Sequence, residues 1–195
     1  AYIRKNASLK YGTHGTAVDA WGDVAGAGAL MDSVGVPMSD DKCYLMNPFT
    51  TTALSSAQNG LNAADGLVRT AWERAQISQN FGGMMALTSN ALSSYTSGDT
   101  TDRAGTLNGA PNATYLAAKD TMQQTLVLAG LGTGTIKAGD QVTIAGVNRL
   151  NVATREAILD SAGAQVPWTG TVLEDVTIAG NAATITVSGA AIFEA

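Results

Sequence analysis

From Thr125 onward the sequence alternates, and nothing constrains its fold more. Thr125–Ala129, Gln141–Ala145, Thr171–Ala179 and Thr184–Ser188 are short runs separated by Gly, Asn and Asp. Successive side chains of a strand point to opposite faces, so runs of this period form half-buried strands and not amphipathic helices. In "IKAGDQVTIAGVNRLN" a charged turn, Lys137-Ala138-Gly139-Asp140, launches a strand with Val142 and Ile144 on one face and Gln141 and Thr143 on the other. That strand is expected to break at Gly146. "TIAGNAATITV" reads as a hairpin with Gly180-Asn181 in the turn and Ile185 and Val187 on the buried face.

The first 80 residues have a different texture, a mixture of helix and strand. An Ala- and Gly-rich segment from Gly15 to about Ser33 brings Val18, Trp21, Gly28 and Met31 near one helical face, and its glycines make it dependent on tertiary packing. Cys43-Tyr44-Leu45-Met46 is a short apolar run ending at Asn47-Pro48. There Asn47 can cap a helix and Pro48 suits its first position. That helix is expected to run through Phe49, Leu54 and Ala57 and to stop at Asn59-Gly60. A second helix is expected over Asp65 to Gln76, burying Leu67, Val68, Ala71 and Trp72. The texture changes near Phe81-Gly82-Gly83, which places a domain boundary between Gln79 and Gly83. The fold class is therefore α+β.

With 195 residues and 45% hydrophobic side chains, the chain can bury a real core in one large domain or two small ones. Only 14% of residues are charged, and the eleven Lys and Arg stand singly in a chain of net charge −5. No basic patch offers a grip on nucleic acid. No apolar run approaches a membrane span. The single Cys43 cannot close an intrachain disulfide, which suits a reducing compartment. The chain opens on Ala1, so either something was removed or it is a piece of a longer protein.

Catalytic templates find little to rest on. His14, in "YGTHGT", has no nucleophile or carboxylate assigned to it by the sequence and reads as a loop residue. One His and one Cys leave only carboxylates as further metal ligands, and none has calcium-loop spacing. "GLGTGT" at Gly130 to Thr135 precedes a turn and strand, whereas a phosphate-binding glycine loop needs a helix there. Asn6 and Asn112 begin sequons that nothing else supports. Arg69, Glu73 and Arg74 read as a solvated helix face, and Asp40-Asp41 and Glu174-Asp175 as exposed turns or strand edges. Trp21, Trp72 and Trp168 read as buried or half-buried aromatics. The expectation is a protein that is not an enzyme, with no catalytic, cofactor-binding or metal residues. One feature stays apart: Asp99, Asp102 and Arg103 concentrate charge in the long polar loop "SGDTTDRAGTLNGAPNA". Loops of that length inside a β region are usually functional or disordered, and these charges read either as a contact with another subunit or, more simply, as a solvated hairpin tip.

Several stretches, read in order, resemble the coat proteins of short-tailed phages of the Salmonella phage P22 type. They are "TAVDAWGDVAGAGALMDSVGVP", "CYLMNPFTTTALSS", "ISQNFGGMMALTSN", "TIKAGDQVTIAGVNRLNVATREAI" and "VTIAGNAATITVSGAAI". The resemblance implies a piece of a major capsid protein with the HK97-like tailed-phage capsid fold and an inserted antiparallel β-barrel domain. Residues 1–79 would belong to the capsid-fold core, its spine and capsomer-centre region, and 80–195 to the insertion domain. The N-terminal arm, extended loop and C-terminal half of the parent fold would lie outside the piece. The resemblance further implies a structural subunit of an icosahedral virion shell, assembled in the bacterial host cytoplasm. Its partners would be other coat subunits in hexamers and pentamers and a scaffolding protein, with no cofactor, no membrane and no sequence-specific nucleic acid. The insertion domain would aid folding and send a charged loop to a neighbouring capsomer, here the 97–113 stretch with Asp99, Asp102 and Arg103. The competing reading from the residues is a β-barrel binding or adhesion module of a phage tail or fibre accessory protein.

Overall fold

The computed structural model describes residues 7, 9–13, 15–37, 42–59, 80–81, 83–92, 95–99, 102–109, 112–113 and 123–189. His14, Asn6, Asp40, Asp41, the helix expected over 65–76 with Leu67, Val68, Ala71 and Trp72, its charges Arg69, Glu73 and Arg74, and the boundary at Gln79 lie outside the described residues. The chain is α+β and divides into two compact units. One, the helical unit, comprises Tyr11–Ser93 and Asn151–Ala153. The other, the strand unit, comprises Ala1–Lys10, Ser94–Leu150 and Thr154–Ala195.

In the helical unit, helix α1 (Trp21–Val34) starts later than the sequence pattern suggests, after an extended Ala20. It ends where Gly35 turns left-handed at φ 101°. The Gly35 and Val36 N–H groups then donate to Asp32 O and Met31 O at 3.1 Å each, a Schellman stop. Asn151 Nδ2 and the Val152 N–H satisfy two more carbonyls of that last turn, Ser33 O at 2.7 Å and Val34 O at 3.0 Å. Strand β1 (Cys43–Met46) leads through Asn47 into α2 (Pro48–Asn59). The Asn47 side chain accepts from the Thr50 N–H at 2.7 Å, so the Asn-Pro step is the cap its residues predict.

Strands β2 (Asn80–Phe81) and β3 (Met84–Thr88) join β1 in a sheet of order β1-β3-β2, with β1 and β3 parallel. These strands follow the texture change near Phe81 yet pair within the helical unit. Val24, Met46, Leu54 and Met84 form the unit's core, joined by Val18, Trp21, Tyr44 and Ala86. The opposite face of the sheet, carrying Cys43, Leu45, Met85 and Leu87, is exposed. Tyr44 titrates above its ordinary value because of burial and then the nearby Asp23 charge.

The strand unit holds β4 (Thr106–Leu107), β5 (Asn112–Ala113), β6 (Gln123–Ala129), β7 (Thr135–Ile136), β8 (Gln141–Asn148), β9 (Pro167–Val172), β10 (Val176–Thr177) and β11 (Ala182–Ser188). Its main sheet runs β4-β6-β11-β9-β8, with β5 also on β6, and β7 pairs β10 separately. At the expected hairpin, Gly180 and Asn181 have φ of 58° and 62°, the two positive values a type I′ turn needs. The run expected as one strand over Thr171–Ala179 is split. β9 stops at Val172, and the Asp175 carboxylate accepts from the Ala138 N–H at 2.8 Å, which sends β10 to β7. Nor does β8 end at Gly146. It crosses a bulge there, with Gly146 at φ 78°, and resumes pairing at Asn148.

Leu126, Trp168, Val172, Ile185 and Val187 make the core of the strand unit, with Val142 and Ile144 packed against it. A closed barrel does not form among the described residues, because the sheet path is linear and β4 and β8 do not pair. Closure needs a continuous strand at each edge. Here β4 and β5 are two residues each, interrupted at Asn108-Gly109 where Gly109 has φ 97°. A cleft of about 420 Å³ remains, lined by Leu107, Leu128, Val142 and Ile144, with Arg103 and Asp140 also on its walls.

Candidate functional site

The three charged residues of the polar loop are exposed, and each is bonded back onto its own unit. Asp99 Oδ1 accepts from the Thr135 N–H at 3.0 Å and the Thr135 hydroxyl at 2.8 Å. Asp102 Oδ1 accepts from the Ala104 N–H at 2.9 Å, and the Asp102 carbonyl accepts from the Gly132 N–H at 3.2 Å. Arg103 Nη1 donates to Ser97 Oγ at 3.0 Å, and its Nη2 donates to the Gly98 carbonyl. Residues 97–99 and 102–103 thus lie along β7 and the connector before it.

The residue that gathers this arrangement is Asp140, in the turn ahead of β8. Its Oδ1 accepts from the Tyr95 hydroxyl at 2.7 Å and the Ser97 hydroxyl at 2.6 Å. Its Oδ2 accepts from the Gly98 N–H at 3.1 Å and the Lys137 N–H at 2.8 Å. The turn itself is fixed to β9, since Gly139 N–H donates to Val172 O at 2.7 Å and Val172 N–H to Asp140 O at 2.8 Å. Two close approaches complete the seat. A Cβ at Gly98 would stand 2.0 Å from the Thr135 carbonyl oxygen, and one at Gly139 would stand 3.2 Å from the Tyr95 ring. Gly139 also has φ 102°, where a side chain is strained.

Burial is the largest influence on Asp140 and pushes its carboxyl up, but the hydroxyls of Ser97 and Tyr95 and the N–H groups of Lys137 and Gly98 outweigh it. The outcome is a carboxyl held below its ordinary value of 3.8. Asp99 is lowered as well, first by the Thr135 hydroxyl and then by the Thr135 N–H. A depressed carboxyl stabilises the docked loop above the unfolded value and withdraws that support as pH falls through the folded one. The loop should therefore stay docked from neutral pH to about pH 4 and release only below that, since an unfolded aspartate titrates near about 3.9. Exchange of the Gly98 and Thr135 amides across a pH series reads this directly. Release between pH 6 and 7 would contradict the assignment.

Sequence reasoning singled out Asp99, Asp102 and Arg103 by charge density and passed over Asp140, read only as a turn residue. It also passed over Arg149, which is 3% exposed where β8 ends. The Arg149 guanidinium donates to Thr169 O at 3.0 Å and Oγ1 at 2.7 Å, joining the two strands beyond the bulge, and burial lowers its pKa. Asp175 and Glu174, adjacent in sequence, serve separate partners, Ala138 N–H and the Thr186 hydroxyl. Among the described residues no three His, Cys, Asp or Glu side chains come together as a metal site, and no helix is long and apolar enough to cross a membrane. What the arrangement can do is hold a charged loop in one conformation on the rim of an apolar cleft.

The family model described as "P22 coat protein - gene protein 5" matches residues 2–195. The major capsid protein of Acyrthosiphon pisum secondary endosymbiont phage 1 is 39% identical over 197 residues. That alignment covers 99% of this chain and 46% of the relative, so the chain spans a little under half of the relative's length.

Proposed function

The chain belongs to the P22 coat-protein family, and from that premise we propose that it is part of a major capsid subunit building the icosahedral shell of a tailed phage or prophage. The observation carrying this reading is collinear similarity along the whole chain, 39% identity over 99% of it. In this reading the subunit has the HK97-like capsid fold. Residues up to about Gln79 belong to its spine and capsomer-centre region, and those from about residue 80 to an inserted, barrel-like domain. The separate core around Leu126, Trp168 and Ile185 supports an insertion that helps its subunit fold. Coat subunits associate as hexamers and pentamers with a scaffolding protein in the host cytoplasm, and the product is a virion capsid. The work is structural and not catalytic.

Asp99, Asp102 and Arg103 contact a neighbouring capsomer in this scheme. A single exposed ion pair contributes only about 0.2–1 kcal/mol, but a shell repeats it many times. Replacing Asp99 and Asp102 together by Ala, in a coat polypeptide of the relative's full length, should lower shell yield and heat stability. Unchanged shells would remove the loop from the contact. Electron microscopy of that polypeptide co-expressed with a scaffolding partner tests the wider reading. Closed shells are expected, and discrete soluble oligomers would overturn it.

A further inference from the structure

We propose that Asp140 is the positioning residue of the contact loop, a half-buried latch that presets Asp99, Asp102 and Arg103 for the neighbouring subunit. The inference rests on the capsid reading and adds to it a residue outside the loop. Asp140 sits 45 positions along the chain from Tyr95 and 42 from Gly98, yet its carboxylate bonds both, together with Ser97 and Lys137. Ser97 passes the constraint on, because the hydroxyl that donates to Asp140 accepts from Arg103 Nη1 at 3.0 Å. The Arg103 guanidinium also holds the Gly98 carbonyl, so residues 97, 98, 103 and 140 form one closed network. Asp99 follows Gly98 directly and takes its place on Thr135 as the backbone is drawn in.

Bonds to an ionised acceptor are the stronger kind, and one carboxylate here orients groups from four residues. A loop ordered before contact loses less freedom when it meets its partner. The turn carrying Asp140 is tied to β9 through Val172, a fully buried core residue, so the latch is anchored to the core of the strand unit.

The test compares two variants with the parent. Asp140→Asn keeps the shape and removes the charge. Tyr95→Phe combined with Ser97→Ala leaves Asp140 and its turn to Lys137 intact and removes two of its donors. In the 195-residue chain, hydrogen exchange at Gly98 and Thr135 should accelerate on the order of tenfold in both variants, while amides of β6 and β11 stay as protected as in the parent. In the longer coat polypeptide, both variants should lower shell heat stability in the same direction as the Asp99, Asp102 double replacement. Unchanged exchange at Gly98 and Thr135 overturns the latch. Accelerated exchange with shells as stable as the parent's overturns its positioning role. If the Asp99, Asp102 replacement also leaves shells unchanged, the contact loop itself falls, and the exchange result shows separately whether the latch is there.

Discussion

Replacing Trp168 by Ala should cost the strand unit about 3–5 kcal/mol, the range for deleting a fully buried aromatic side chain. Trp168 is 1% exposed and belongs to the core with Leu126, Val172, Ile185 and Val187. The fit around its ring is close. A Cβ on Gly170 would stand 2.4 Å from Cη2 of the indole, and one on Gly189 would stand 3.3 Å from Cζ2. Gly170 on the same strand and Gly189 just past β11 carry no side chain where the ring lies, so neither position can supply a group to fill the space left by its removal. The cost should therefore fall toward the upper end of the range, and Trp168→Phe should cost less. Urea denaturation followed by far-ultraviolet circular dichroism measures both. A loss under about 1 kcal/mol for Trp168→Ala would mean that the core collapses onto the site, against the packing described.

Gly98→Ala should have the largest local effect in the molecule. The new methyl carbon would stand 2.0 Å from the Thr135 carbonyl oxygen and 2.9 Å from Asp140 Oδ2. Backbone cannot retreat as a flexible side chain can, so the loop must lift away from β7. Overpacking of this kind costs about 1–3 kcal/mol, and the bonds from Gly98 to Asp140 and from Thr135 to Asp99 go with it. The amides of Thr135 and Lys137 should lose protection, and protease should cut within 97–103, while the β6–β11 pairing is retained. Protection at Thr135 equal to the parent's would show that the methyl group is accommodated and that the close approach is not obligatory.

These two positions also show what the sequence makes legible and what it hides. Strands β6, β8 and β11 could be read because alternation is local. Ile185 and Val187 reveal their buried face without reference to any partner, and Gly180-Asn181 names its own turn. The Asn47-Pro48 cap is equally self-contained, since its bond spans three residues. The division of β9 from β10 was hidden because it depends on Asp175 reaching Ala138, 37 residues away. The loop was found by its charges, but its docking depends on Asp140, whose Tyr95, Ser97 and Gly98 partners are more than 40 positions distant. Nothing in "KAGDQ" distinguishes a turn aspartate from one that also orders a distant loop. Gly98 was hidden for a related reason: a glycine chosen for contact looks in sequence like one chosen for a turn. The closed barrel expected from the resemblance depends on edge pairing, a property of two strands at once. The family itself was legible because the resemblance adds up over many weak stretches in the same order.

The interrupted edge made by β4 and β5 has a consequence for life at high concentration. An unbroken strand edge is a template on which one sheet can zip onto the next without limit. Here the outer rim of β6 is covered by two pieces of two residues each, parted by the Asn108-Gly109 step. Strand pieces this short offer an arriving strand few amides in register. The same break that leaves the sheet open among the described residues also blunts its edge against indiscriminate strand pairing.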